Sequence, residues 1–297
     1  MQILAKTGVA IENFLGIDGF DIYWYGICIA TGFLLAFVFA TLKNKKWGGR
    51  KDLTSDMLIV AIVGALIGAR AYYVAFEWDN YFVPGSFGET LKNIFDIRSG
   101  GLAIYGGIIG AVITLWIYSF IKKENLLNML DIAAAPLALG QAIGRWGNFF
   151  NQEAHGAMVT NESLQWFPYA VYLDSPKANE PVGWYQATFF YESFWCLLIF
   201  VTLYFFVKRK YKGQLVLMYL ALYGFERGIV EWLRTDQLTF AGGVPISAVL
   251  SIALCIIATT LLIIAKVKNY SNIEVSAQEV TEVVQGAETQ KSEEEKK

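Results

Sequence analysis

Seven long apolar runs dominate the sequence and limit the folds open to it. Each is close to 20 residues long, enough for a helix rising 1.5 Å per residue to cross ~30 Å of hydrocarbon. Soluble domains have roughly 25% charged residues, whereas this chain of 297 residues has 17% charged and 55% hydrophobic residues. We therefore predict an all-α polytopic membrane protein with seven transmembrane helices. The runs lie at about 22–42, 57–77, 102–121, 126–146, 187–207, 214–232 and 244–265.

The basic residues between the runs predict the orientation of the chain. The segments after the first, third, fifth and seventh runs carry 13 lysines and arginines, whereas the longer opposite segments carry five. By the positive-inside rule the N-terminus lies outside and the C-terminus lies in the cytoplasm. Two long loops, about 78–101 and 147–186, then face outward. The second is rich in aromatic residues and is interpreted as a small extracytoplasmic head.

The chain is predicted to have one membrane domain, residues 1–267, followed by a tail, residues 268–297. From residue 271 the tail has seven glutamates against three lysines and no apolar periodicity. Such a composition is typical of a disordered, solvated segment, here on the cytoplasmic side.

Histidine and cysteine are too scarce for several kinds of site. The single histidine, His155, excludes a histidine-rich metal centre. The three cysteines lie inside apolar runs, so neither a disulfide framework nor a Cys-x-x-Cys site is available. We predict no metal, no cofactor and no nucleic-acid partner. His155 itself is interpreted as a solvated loop residue, with contact to a lipid headgroup as the alternative.

Three arginines stand within the apolar runs: Arg70, Arg145 and Arg227. Each costs roughly 2.5–3.5 kcal/mol at membrane depth on insertion scales unless it is paired or hydrated. Their runs all end on the predicted outward side, which favours one shared anionic ligand. For Arg70 alone, a side chain reaching the interface from a helix end is the alternative.

The segment 140–156 is the most polar stretch within any apolar run. In a helix, Arg145 and Asn148 are three residues apart and share a face. Asn151 and Glu153 follow at the outward end. The guanidinium, the amides and the nearby glycines suit a phosphate group.

The sixth run offers a second polar face. Arg227, Glu231 and Arg234 stand at i, i+4 and i+7, so the carboxylate can hold one guanidinium while leaving donors free. Tyr105, among four close glycines, has two interpretations from the sequence: a tyrosine of the interfacial aromatic belt, which is the commoner case, or a side chain that faces a cavity.

The two polar faces also have purely structural interpretations. Asparagines cap helix ends, and Arg145 could pair with Asp131 or Glu153. Arg227 and its neighbours could form only an ion-pair ladder. Glycines four residues apart predict close helix packing at three places, Gly64 with Gly68, Gly106 with Gly110, and Gly140 with Gly144.

The segment Gly144-Arg-Trp-Gly-Asn-Phe-Phe-Asn-Gln-Glu153 resembles the signature of the bacterial prolipoprotein diacylglyceryl transferases. Four further segments agree in order and spacing, and the resemblance runs from about residue 23 to residue 267. They are Trp24-Tyr-Gly26, Gly100-Gly-Leu-Ala-Ile-Tyr-Gly-Gly107, Thr188-Phe-Phe-Tyr-Glu-Ser193 and Arg227-Gly-Ile-Val-Glu-Trp-Leu-Arg-Thr-Asp236.

This resemblance implies a seven-span enzyme of a bacterial cell membrane with its active site towards the outer leaflet. Such enzymes transfer the diacylglyceryl group of phosphatidylglycerol to the thiol of the lipobox cysteine in a prolipoprotein signal peptide. A thioether forms and glycerol 1-phosphate is released. A seven-span transporter of an anionic solute is the alternative from another class, and a seven-span receptor explains the charged motifs less well.

The resemblance also implies roles for particular residues. Arg145 corresponds to the arginine that binds phosphatidylglycerol, and Arg227 to a second essential arginine. Tyr105 stands where many members carry a histidine, a difference associated with Gram-positive members, and is the third candidate catalytic residue. Arg70 joins the predicted binding residues because of its membrane depth. The remaining predicted binding residues are Tyr25, Asn148, Asn151, Glu153, Glu231 and Arg234.

Overall fold

A computed structural model describes residues 8–97, 100–174, 176, 180–235, 237, 239–240 and 243–268. The chain divides into two compact units, residues 1–39 with 130–297, and residues 40–129. We call them the first and the second unit. The predicted tail lies outside the described residues from residue 269 onward.

Helices dominate both units, and short strands lie only in the first. Over the described ranges the helices are α1 Trp24–Lys46, α2 Leu53–Phe76, α3 Phe87–Phe95, α4 Ile104–Lys122, α5 Leu126–Phe150, α6 Thr188–Val201, α7 Gln214–Val230 and α8 Ile246–Val267. The strands are β1 Val9–Ile11, β2 Ile22–Tyr23, β3 Ala170–Leu173 and β4 Gly183–Gln186.

All seven predicted runs are helical, and six are long and apolar enough to cross a membrane. The fifth run reaches that length because a π-helical turn, Thr202–Phe206, continues α6. The exception is the sixth run, where α7 has only 17 residues. The polytopic all-α class is therefore confirmed, with six candidate spans in the described part of the chain.

Helices α2 and α4 of the second unit pack through their glycines, as the spacing predicts. A Cβ atom on Gly68 would lie 2.8 Å from the Cα atom of Gly110, so even alanine would force the helices apart. Thr114 crosses the same interface and donates a hydrogen bond to the carbonyl of Val60 at 3.1 Å. Small residues let backbones approach closely where lipid provides no hydrophobic drive for association.

The segment 78–101, predicted as an outward loop, contains the helix α3, which is not among the predicted helices. Ser86 caps this helix, because its Oγ accepts a hydrogen bond from the backbone N–H of Glu89 at 3.4 Å. Serine followed three residues later by glutamate is a helix-start signal.

In the first unit, α5 supplies the residue that holds the start of α7. Asp131 is fully buried and accepts hydrogen bonds from the backbone N–H groups of Gly213, at 2.7 Å, and Val216, at 2.9 Å. Arg209 lies 3.6 Å from the same carboxylate. Asp131 thus satisfies donors at a helix N-terminus, which explains its place in an apolar run.

The segment predicted as a head, 147–186, contains an antiparallel hairpin in which β3 pairs with β4. Met158 pairs with Tyr185 of β4 in an isolated bridge, and Gly156 pairs with Arg234 in another. Residues that follow α5 are thereby tied to the residues that follow α7.

Candidate functional site

The centre of the first unit is a carboxylate held between two arginines. Glu192 of α6 forms ion pairs with Arg145 of α5 through Oε1 and with Arg227 of α7, at 2.9 Å, through Oε2. Tyr223 donates a further hydrogen bond to Oε1 at 3.2 Å. Three helices that are far apart in sequence thus meet at one carboxylate.

Arg227 is held from two sides. Its second terminal nitrogen lies 2.5 Å from Glu231 Oε2, one helical turn further on. The predicted i, i+4 contact between Arg227 and Glu231 is therefore confirmed. Two guanidinium groups and two carboxylates form this cluster, and their formal charges cancel.

Burial makes the cluster sensitive to the loss of any one member. Glu192 is 1% exposed and Glu231 is 3% exposed. Removing one partner of a buried ion pair leaves an unpaired charge in a medium of low polarity, at a cost of roughly 3–5 kcal/mol. The side chains of Arg145 and Arg227 remain 21% and 13% exposed, so both are partly accessible. A carboxylate bridged by two guanidinium groups occupies the kind of site that also accepts a phosphate.

The polar end of α5 forms an amide network beside Arg145. Arg145 donates a long hydrogen bond of 3.4 Å to Asn148 Oδ1. The side-chain amides of Asn148 and Asn151 both donate to Glu153 Oε1 at 3.1 Å. The predicted shared face of Arg145 and Asn148 is confirmed. The structural alternative in which Arg145 pairs with Asp131 is wrong, since Asp131 binds the start of α7.

Tyr25, at the start of α1, packs against the same end of α5. A Cβ atom on Gly147 would lie 2.8 Å from Cδ2 of its ring, so only glycine permits this approach. The structure therefore places Tyr25 against the C-terminal end of α5, at the residue before Asn148 in the sequence.

The position predicted for Arg234 on the helical face is wrong. Helix α7 ends at Val230, and a short 3-10 turn, Glu231–Leu233, follows it. Arg234 is extended, with φ −79° and ψ 149°, and bridges to Gly156. The i+7 spacing fails because the α-helix does not continue that far.

Arg70 and Tyr105 belong to the second unit. The Arg70 guanidinium donates to the backbone carbonyls of residues in or after α3, and it lies over the Tyr81 ring at 4.7 Å. Its carbonyl partners are Asn93, Ile94, Asp96, Gly100 and Gly101, at 2.7–3.0 Å. This geometry favours a role in ordering the loop, and the predicted contact of Arg70 with substrate stays a prediction. Tyr105 is the second residue of α4 and is half-buried.

His155 is buried rather than solvated, contrary to the expectation from its loop position. It is 5% exposed, its Nε2 lies 3.6 Å from Glu180 Oε2, and its ring contacts that of Tyr185 at 4.4 Å. Burial, with Glu180 nearby, raises the pKa of the Tyr185 phenol. These contacts brace the hairpin, and sequence alone could not reveal them because Glu180 is 25 residues away.

An apolar groove of about 340 Å³ is lined by residues of α1, α5 and α6 in the first unit. Ala142 and Trp146, which line it, flank Arg145 in the sequence of α5. Ser193, also in its wall, follows Glu192 in α6. The full lining is Cys28, Leu139, Ala142, Ile143, Trp146, Phe150, Ser193 and Leu197. The first unit thus has a buried arginine–carboxylate cluster and an apolar groove that share the helices α5 and α6.

Glu192 is not among the site residues predicted from the sequence. It appeared only within the motif Thr188–Ser193, and no local spacing links it to either arginine. The available signal was its isolation, because it is the only acidic residue in the apolar run at 187–207. An ionisable residue within a span is itself an indication of function.

The comparisons with known proteins agree on one family. The family model described as "Prolipoprotein diacylglyceryl transferase" matches residues 12–264. A protein of Finegoldia magna named phosphatidylglycerol--prolipoprotein diacylglyceryl transferase is 46% identical over 251 residues, which cover 83% of this chain and 92% of that protein. A protein of the same name from Bacillus cytotoxicus is 42% identical, over 83% of this chain and 89% of that protein. Another from Listeria innocua is 40% identical, over 85% of this chain and 88% of that protein.

Proposed function

Because the chain belongs to the prolipoprotein diacylglyceryl transferase family, we propose that it transfers the diacylglyceryl group of phosphatidylglycerol to the lipobox cysteine of prolipoproteins. The products are a thioether-linked prolipoprotein and glycerol 1-phosphate, and the reaction is the first step of lipoprotein maturation. The observation that carries the proposal is the buried cluster of Arg145, Glu192 and Arg227. It provides two fixed cations for a lipid phosphate.

The protein is proposed to lie in a bacterial cell membrane with its site towards the outer leaflet. Six apolar helices support membrane insertion, and α7 is the proposed seventh span. The 13 basic residues of one set of loops support an outside N-terminus and a cytoplasmic C-terminus. In this orientation, Arg145 and the amide network lie near the outward end of α5.

Arg145 and Arg227, whose side chains are partly exposed, are proposed to bind the phosphate. Asn148, Asn151 and Glu153 form the polar wall next to Arg145, and Glu231 fixes Arg227. Tyr25 is proposed to shape the same end of the site through its packing on Gly147. Roles for Arg234 and Arg70 in substrate binding are proposed from the resemblance and from membrane depth, respectively.

The two guanidinium groups are suited to both electrostatic tasks of the reaction. A free cysteine thiol has a pKa near 8.5 and must lose its proton to become a good nucleophile. Neighbouring cations favour the thiolate, and they also stabilise the negative charge that builds on the departing phosphate. The sulfur forms a bond to the glyceryl carbon as the carbon–oxygen bond to phosphate breaks, and the electron pair leaves with the phosphate oxygen.

One acyl chain of phosphatidylglycerol is proposed to occupy the apolar groove. We expect Cys28→Trp, which fills the groove from α1, to raise the KM for phosphatidylglycerol about tenfold with a smaller effect on kcat, because ground-state binding is lost. Steady-state transfer to a lipobox peptide in mixed micelles measures both constants. Cys28→Ser is the matched control and should behave as wild type. An unchanged KM in a folded Cys28→Trp variant would exclude the groove as the chain-binding site.

The role of Tyr105 is proposed from the resemblance alone. Its hydroxyl would orient the thiol or the phosphate, or relay a proton, although a phenol with a pKa near 10 is a weak base at neutral pH. We expect Tyr105→Phe to lower kcat about tenfold or more and Tyr105→His to retain more activity, since an imidazole can take over proton transfer. Initial rates of the three proteins test this. Full activity of Tyr105→Phe would remove the hydroxyl from the mechanism.

Complementation tests the proposed function in cells. A bacterial strain depleted of its own transferase should regain lipidated lipoproteins when this chain is expressed, as read by mass spectrometry of their N-terminal cysteine. An Arg145→Ala, Arg227→Ala double variant is the control for expression without activity. Stable membrane expression without lipidation would argue against the proposal.

A further inference from the structure

One buried carboxyl group of the first unit, that of Glu226, takes part in none of the ion pairs described for Arg145, Glu192, Arg227 and Glu231. Glu226 of α7 is 6% exposed, and neither of its side-chain oxygens has a hydrogen-bond partner among the described residues. It stands three residues after Tyr223 and seven after Tyr219, so the three share a helix face. Burying a polar group without a partner is costly, so a buried carboxyl group without one is unusual.

Groups on α5, α6 and α7 interact electrostatically with Glu226, and α8 packs on α7 at the two glycines that flank Glu226 in the sequence. Electrostatic interactions link it to Glu192 on α6, Arg145 on α5 and Arg227 on its own helix. The thiol of Cys196, one turn after Glu192, is also within electrostatic range. Helix α8 contacts α7 at Gly224 through Ser251 and Cys255 and at Gly228 through Ile252. Lys266, the cation of α8, is 11 residues beyond Cys255, or roughly 16 Å along the helix.

The charges of the cluster determine which carboxyl group holds a proton. Glu192 forms ion pairs with two guanidinium groups and accepts a hydrogen bond from one phenol. Glu231 forms an ion pair with one guanidinium group. The two arginines and these two carboxylates already sum to zero. An ionised Glu226 would add an unpaired negative charge next to Glu192, which both burial and like-charge repulsion oppose. The neutral form of the carboxyl group is therefore favoured more at Glu226 than at Glu192 or Glu231, each of which pairs with an arginine.

We propose that Glu226 is a positioning residue whose proton permits an anionic headgroup to bind the Arg145–Arg227 pair. This rests on the proposed function, since the anion is taken to be the phosphate of phosphatidylglycerol. With Glu226 neutral, a bound phosphodiester gives the site a net charge of minus one. With Glu226 ionised, the same ligand gives minus two in a poorly screened interior. Binding and protonation are thus linked, and each favours the other.

The proposal predicts that affinity for the anion decreases as pH rises. The protonated form binds the anion, so affinity is highest at low pH and falls as rising pH removes the proton from Glu226. Loss of one proton that is required for binding weakens affinity by at most about tenfold per pH unit. Glu226→Gln is permanently neutral and nearly isosteric, so its affinity should stay constant over the same range.

Binding of short-chain phosphatidylglycerol to the purified full-length protein, without acceptor peptide, tests this directly. Isothermal titration between about pH 6 and about pH 9 covers the range in which a buried carboxyl group can titrate. The wild type should bind progressively less tightly as pH rises, whereas Glu226→Gln should show a flat profile. Glu226→Asp keeps an ionisable carboxyl and should keep a pH-dependent profile, which preserves the test if the Gln variant does not fold.

Two controls separate the possible failures. Glu162→Gln removes an exposed carboxyl group from the 3-10 turn Glu162–Leu164 and should leave the wild-type profile unchanged. Short-chain diacylglycerol has no phosphate, so its affinity should not follow the ionisation of Glu226. A flat wild-type profile, or equal slopes for wild type and Glu226→Gln, would overturn the proposal for Glu226. No binding of phosphatidylglycerol by folded wild type at any pH would instead overturn the proposed function.

Discussion

Arg145→Lys and Arg227→Lys are each expected to transfer the diacylglyceryl group on the order of 100-fold more slowly than wild type, the scale seen when one donor to a developing oxyanion is lost. Lysine keeps the charge but lacks the planar fork of donors. It therefore cannot hold Glu192 with one nitrogen and a phosphate with another. Initial rates with a lipobox peptide and phosphatidylglycerol measure the loss.

Arg209→Lys is the matched control for these two variants. Arg209 also faces a buried carboxylate, that of Asp131, but at the start of α7 rather than in the cluster. Its replacement should change the rate less than twofold, a threshold well below the roughly 100-fold loss expected for a donor in the site. Near-normal rates for the two cluster variants would remove the multidentate role from Arg145 and Arg227.

Glu192→Gln is expected to destabilise the protein by roughly 3–5 kcal/mol, the cost of leaving buried charges without their partner. Transfer activity should fall at least tenfold, because the two guanidinium groups lose the carboxylate that fixes their geometry. Thermal unfolding in micelles and initial rates give the two effects. Phosphatidylglycerol should raise the Tm of this variant more than that of wild type, since the phosphate can replace the missing anion.

Glu124→Gln provides the comparison for an exposed ion pair. Glu124 lies 3.2 Å from Arg50 in the second unit, where both side chains are partly exposed. Surface pairs contribute about 0–1 kcal/mol, so this change should have little effect on stability. A Glu192→Gln variant as stable and as active as Glu124→Gln would show that the cluster does not organise the site.

The helices were predictable because hydrophobic length is a local property of the sequence. The runs at 22–42 and 244–265 correspond closely to α1 and α8, since lipid-facing helices leave few polar residues in their interiors. The head was predictable only as a segment, because the pairing of β3 with β4 depends on contacts within the fold. Ser86, the residue before α3, is a helix-start signal in the sequence, but α3 is not among the predicted helices.

The candidate site was predictable only where its geometry is local. Arg145 with Asn148, and Arg227 with Glu231, are neighbours on single helices, and both contacts are confirmed. Glu192 could not be linked to them because it joins three helices, and sequence spacing does not report contacts between helices.

Arg70 shows that a charged residue within an apolar run does not by itself indicate a ligand. Its depth in an apolar run suggested a ligand, whereas its donors bind carbonyls in and after α3, more than 20 residues further along the chain. A buried arginine satisfied by backbone carbonyls and one satisfied by an anion look identical in sequence.

The most direct test of the account is product formation by the purified full-length chain in phosphatidylglycerol vesicles with a lipobox peptide. Glycerol phosphate should be released in step with the gain of a diacylglyceryl group by the peptide, and both should stop when serine replaces the cysteine. Release of glycerol phosphate at the same rate with the serine peptide, or no lipidated peptide from folded protein, would contradict the account.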